Sequence, residues 1–174
     1  MATSMREVEL FPEWARKQIN DQLAVDGKQT SGQRFHNATE ITLVLPIYWT
    51  IERKIKKSKT VLVGMNWFRN AHFILQNNMK KHISKLVKEQ LAPCHGIRWE
   101  AVSVAYRLYP KRKNQDKNNI VTLIDKFLLD ALQDFGLIEN DTCQYYHHTE
   151  SDYIELDKIN PRIECVLTKA ERKL

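Results

Sequence analysis

Between residues 97 and 148 the spacing of apolar side chains changes from two, to three and four, and back to two. Residues 97–109 (IRWEAVSVAYRLY) alternate, with Val102, Val104, Tyr106 and Leu108 on one side, the pattern of a strand with one apolar face. Residues 119–135 place Ile120, Leu123, Ile124, Phe127, Leu128, Ala131, Leu132 and Phe135 at the i, i+3, i+4, i+7 positions of a helix, and Gly136 follows as its stop. Residues 142–148 read as a strand again. A strand–helix–strand run of this kind excludes an all-helical and an all-β fold.

The flanking sequence extends the pattern. ITLVLPIYW, at 41–49, is β-branched and apolar, a strand that Pro46 bends or ends. Residues 50–55 and 60–63 form a hairpin around Lys56, Lys57, Ser58 and Lys59. Gly64-Met65-Asn66 then makes a turn, with Asn66 as a helix cap. A long helical pattern covers 67–91, ended by Pro93 and Gly96. Residues 162–167 supply a last strand. The expected architecture is an α+β domain, residues 40–174, with two main helices on one face of a mixed β-sheet. Residues 1–39 form an extension whose short helix runs from about Pro12 to Ala24.

At 174 residues the chain suits one domain with a proper core. Its net charge of +6 admits a polyanionic partner, whose bound counterions would be released on binding, but does not require one. Cys94, Cys143 and Cys165 stand singly, without the paired spacing of a zinc site or a disulfide framework. No apolar run reaches the roughly 18–20 residues of a membrane span, and the start lacks a signal-peptide core. A cytoplasmic, intracellular protein is expected. Neither GxGxxG nor GxxxxGK[ST] occurs, so no nucleotide cofactor is expected by those routes.

The chemistry concentrates between residues 111 and 141. Lys111-Arg112-Lys113 leads into Asp116-Lys117-Asn118-Asn119, and a second polar cluster, Glu139-Asn140-Asp141, follows the helix. If the helix lies on the sheet, the two clusters can share one rim. Oxygen ligands ringed by cations suit a hard divalent ion and a phosphate-bearing substrate. The start of the helix adds free N–H groups and a positive dipole. The same residues also read as ordinary helix caps and a polar turn, and spacing alone does not separate the two.

The run from Val102 to Cys143 resembles the RusA-like Holliday junction resolvases, many of them encoded by phages and prophages. The resemblance rests on Lys111-Arg112-Lys113, Asp116-Lys117-Asn118-Asn119, Lys126, Asp130-Ala131-Leu132, Gly136-Leu137-Ile138 and Asn140-Asp141, and extends more loosely over residues 40–168. It implies a homodimeric, Mg²⁺-dependent endodeoxyribonuclease, Mn²⁺ serving as substitute, that nicks four-way DNA symmetrically. Asp116 and Asp141 would then be metal ligands, Asn118 would stand where the family has an aspartate, and Lys126 would be the electrostatic helper. Glu139 is the better replacement for the missing carboxylate, ahead of Asp125. Because Asn118 carries no charge and the helix is about one turn longer than the family's, a non-catalytic branched-DNA-binding relative is the alternative.

Further along, Lys54, Lys56, Lys57 and Lys59 interleave with Tyr48 and Trp49. This is either a DNA-contacting hairpin with an aromatic wedge or an edge hairpin protected by lysines. Lys117 joins Lys111, Arg112 and Lys113 as a DNA contact. His147 and His148 point to opposite faces of their strand and do not share a metal.

Overall fold

The computed structural model describes residues 38–52 and 57–173. The extension's helix expected at residues 12–24 lies outside them. Strand β1 (Glu40–Pro46) ends at its proline, and β2 (Tyr48–Ile51) pairs with β3 (Lys59–Leu62) as a separate two-stranded sheet. Helices α1 (Met65–Asn70) and α2 (Phe73–Leu91) follow, then a 3₁₀ turn at Ala92–Cys94. Strand β4 (Ala101–Tyr109), helix α3 (Lys117–Phe135), β5 (Tyr146–Tyr153) and β6 (Arg162–Ala170) complete the order.

The main sheet has the order β1-β6-β4-β5. β1–β6 and β6–β4 are antiparallel, while β4–β5 is parallel. The fold is therefore α+β with a mixed sheet. The parallel pair is joined by α3, as a parallel connection requires a long crossover. Val102, Val104, Tyr106 and Leu108 of β4, Ile163, Cys165 and Leu167 of β6, and Leu43 and Leu45 of β1 are buried in one core. The helices close it with Met79, Ile83, Val87 and Leu91 from α2 and the Ile120–Leu132 stripe of α3. Each such side chain contributes about 1.5–3 kcal/mol by leaving water. Among the described residues no helix is long and apolar enough to cross a membrane.

Local details correct the expected boundaries. The long helix is broken at Ala71 and His72, both in extended conformation. The Gln76 amide bridges the break, donating to the carbonyls of Phe68 at 2.7 Å and Ala71 at 3.0 Å, which satisfies groups that a helix end leaves open. Gly64, not Asn66, takes the cap position of α1. Asn66 lies inside that helix, where its N–H donates to Asn119 Oδ1 at 2.7 Å. Residues 97–100 are not strand, because Trp99 N–H bonds Leu137 O at 2.7 Å and its indole bonds Ala38 O at 3.2 Å. β5 starts four residues later than expected, after a turn in which Thr142 O accepts from Tyr145 and Tyr146. Gly136, at φ 84, caps α3 in the left-handed region as the sequence required.

Candidate nucleic-acid interface

One end of the sheet gathers the basic groups. β4 delivers the chain to Pro110, and Lys111, Arg112 and Lys113 are all exposed in the loop that follows. The loop is fixed: Arg112 N–H donates to Gln115 Oε1 at 3.0 Å, and the Gln115 amide donates to Tyr48 Oη at 3.1 Å. This ties the basic run to the base of the β2–β3 hairpin. The hairpin carries Lys57 and Lys59, both exposed, about one four-residue strand, or roughly 13 Å, from that tie. Lys54 and Lys56 lie outside the described residues.

Asp116 caps α3, its carboxylate accepting from Asn119 N–H at 3.2 Å. Asn118 is exposed in the first turn, and Lys117 is drawn sideways to donate to the carbonyl of Ser151 on β5. Asn119 joins this end to α1 through Asn66. That contact leaves no space at Gly64, where a Cβ would lie 2.4 Å from Asn119 Nδ2.

The two polar clusters do not share a rim, which corrects the expected site. α3 has 19 residues and is about 28 Å long at 1.5 Å per residue. Asp116 stands at its start, whereas Glu139 and Asp141 follow its end. The sheet gives the same answer independently: Val102 pairs with Tyr146 and Leu108 with Tyr153, so Asp141 precedes the start of the pair and Asp116 follows its finish. Carboxylates that bind one Mg²⁺ approach it to about 2.0–2.1 Å, so Asp116 and Asp141 of one chain cannot share it. Glu139 is exposed beside Asp141 and does not replace the missing ligand at Asn118. Lys126, exposed in mid-helix, lies ten residues and about 15 Å from Asp116. Among the described residues no three His, Cys, Asp or Glu side chains are grouped to hold an ion. Within one chain these residues do not fit the metal that the resemblance implies.

Asp125 has a different place. Its carboxylate accepts hydrogen bonds from the hydroxyls of Tyr106 on β4 and Tyr146 on β5. Burial, followed by the neighbouring Cys165 and then Asp125, raises the Tyr106 hydroxyl well above its ordinary pKa, while burial and the bond to Asp125 raise that of Tyr146. Tyr146 Oη also lies 3.2 Å from His148 Nδ1. His147 and His148 face opposite sides, as expected, opposite Ser103 and Val104 respectively. The sequence does hold a signal for this cluster: Asp125 interrupts the apolar stripe of Val121, Leu128 and Leu132, and an acid there needs buried donors.

The hairpin aromatics are structural. Trp49 meets Trp67 edge-on at 6.0 Å and stacks on His82 at 6.4 Å, and Tyr48 receives Gln115. Both are half-buried. A second basic surface along α2, a groove of about 720 Å³ lined by Lys80, Lys81, Lys85 and Lys88, is largely compensated. Lys80 pairs with Asp130 at 2.7 Å, Lys88 with Asp134 at 3.2 Å and Lys85 with Glu89 at 3.6 Å. No protein-family model and no curated protein matches this chain.

Proposed function

We propose that this chain is a RusA-like protein that binds branched DNA, gripping phosphates at the end of the sheet where α3 begins. The observation that carries this reading is the fixed loop presenting Lys111, Arg112 and Lys113 beside the N-terminus of α3. Cations presented on a fixed loop form a surface for phosphate oxygens. Neither the metal nor cleavage is needed for this grip.

The cutting reading of the same resemblance is favoured by Asp116, an exposed carboxylate among those cations. Its companion carboxylates lie at the far end of α3, so a nuclease site would have to draw on a second protomer of the homodimer. Both readings meet in one experiment. Pure protein is titrated onto a synthetic four-way junction and onto linear duplex at several salt concentrations, with and without Mg²⁺. Preferential junction binding that weakens steeply with salt supports the proposal, and paired nicks with Mg²⁺ would add the enzyme. Equal affinity for duplex and junction, or none at low salt, refutes it.

A further inference from the structure

We infer that the loop between β5 and β6 is a wedge that enters the base stack of a distorted or branched nucleic acid, with Ile159 at its tip. The inference rests on the DNA-binding reading above and names the part of the protein that would sense the branch. Of the six exposed large apolar residues among those described, three lie in this loop, Ile154, Leu156 and Ile159, and a fourth, Tyr153, ends the strand before it. Ile159 is 87% exposed, more than any other. A single exposed isoleucine is unremarkable on a protein surface; four within seven residues are not.

The tip is also held rigidly. Asp157 Oδ1 accepts from the N–H groups of Ile159 at 3.0 Å and Asn160 at 2.7 Å. Asp157 Oδ2 pairs with Arg162 Nη1 at 2.8 Å. That guanidinium lies 3.8 Å over the Tyr109 ring and meets Glu164 Oε1 at 3.0 Å. Pro161 stiffens the exit. An apolar side chain held out on a braced turn loses little entropy when it inserts, which is what a wedge requires.

Position selects the partner. Asp157 N–H donates to Pro110 O at 3.0 Å, so the loop runs beside the start of the Lys111-Arg112-Lys113 segment, and Lys158 adjoins the tip. Apolar insertion flanked by phosphate-binding cations fits bases between phosphates. Asp152 and Glu155 are exposed in the same segment and repel phosphate, so phosphates are met by residues 111–113. A protein partner is disfavoured by area: these few side chains offer far less than the roughly 800 Å² per partner of a stable interface.

The test uses the full chain and four-way junctions carrying a fluorescent aminopurine base at the branch point or within an arm. Wild-type binding should raise the branch-point signal and leave the arm signal unchanged. At protein concentrations that saturate the junction, Ile159→Ala should lose most of that rise, and Ile159→Phe should retain it. The variants remove an exposed side chain, and their thermal midpoints check that folding is intact. Binding without a branch-point signal, or a signal that Ile159→Ala preserves, overturns the wedge alone. Absence of any DNA binding at low salt removes the DNA reading and the wedge together. If Ile159→Ala instead dissolves a dimer or abolishes binding to anionic vesicles, the tip belongs to a second copy or to a lipid surface, and the wedge is wrong.

Discussion

The carboxylate of Asp125 on α3 accepts the hydroxyl hydrogen of Tyr146, and this bond joins the helix to the edge strand of the sheet. Tyr106 supplies a second donor from β4, almost fully buried. Asp125→Ala would strand the buried Tyr106 hydroxyl and leave the half-buried Tyr146 hydroxyl with His148 alone. The expected loss is about 1–3 kcal/mol for the buried Tyr106 donor left without a partner, read as a lower midpoint in urea melts. Asp125→Asn keeps an acceptor and should lose less. A variant in which Tyr106 and Tyr146 are both Phe, on the Asp125→Ala background, should recover part of the loss, because no donor then remains unsatisfied.

The same cluster sets an alkaline limit. Folding raises the hydroxyl pKa of Tyr106 and Tyr146 above the ordinary value of 10.0. The unfolded chain therefore ionises first as pH rises. The stability contributed by the neutral hydroxyls is complete below pH 10 and is lost progressively above it. Of the six tyrosines, these two should resist ionisation in an ultraviolet titration until the protein unfolds. Their titration with the exposed tyrosines in still-folded protein would contradict this.

Much of the fold was readable in the sequence, and the failure at the site has a specific physical cause. Pro46, the alternation at Val102–Leu108 and the stop at Gly136 all act locally, so their effects follow from neighbouring residues. The meeting of Asp116 with Asp141 depended on direction. In a parallel strand–helix–strand unit the second strand begins at the end where the first began. Residues flanking the helix therefore lie a helix length apart, and spacing in sequence does not reveal that β4 and β5 are parallel. The role of Asp125 was hidden for a related reason: its position on the apolar stripe was visible, but its tyrosine partners come from two strands paired only in the fold. The break at His72 likewise depends on Gln76 reaching back across it.

Gly64 is required by packing rather than by backbone strain. A Cβ there would meet Asn119 Nδ2 at 2.4 Å and Asn119 Cγ at 3.0 Å. Gly64→Ala should displace the Asn119 side chain and break its bond to Asn66 N–H, at a cost of about 1–2 kcal/mol. Pairing it with Asn119→Ala should give a total smaller than the sum of the two single losses, since both variants remove the same contact. Strict additivity in a double-mutant cycle would argue against this coupling.

Asp157 governs the order of the loop beneath Ile159. Bonds from the backbone of Asn160 and Ile159, with the Arg162 guanidinium, hold its carboxyl below the ordinary range. Its contribution is therefore present above the unfolded pKa near 3.8 and lost as pH falls through the lower folded value. Asp157→Ala should accelerate hydrogen exchange at the Ile159 and Asn160 amides, while amides in the core of β4 keep their protection. Unchanged exchange at both loop amides would show that the brace lies elsewhere.

The basic loop makes the most direct prediction about function. Lys111, Arg112 and Lys113 are exposed, and Gln115 holds the loop through the backbone of Arg112. Replacing all three by Ala should therefore leave the thermal midpoint nearly unchanged. For duplex arms each lost phosphate contact lowers the slope of log affinity against log salt by about 0.9, so the triple variant should reduce it by up to about 3. Equivalent replacement of Lys80, Lys85 and Lys88, already opposite acids, should alter the slope much less. If the two variants lose equal slope, DNA does not prefer the α3 end of the sheet, and the assigned interface is wrong.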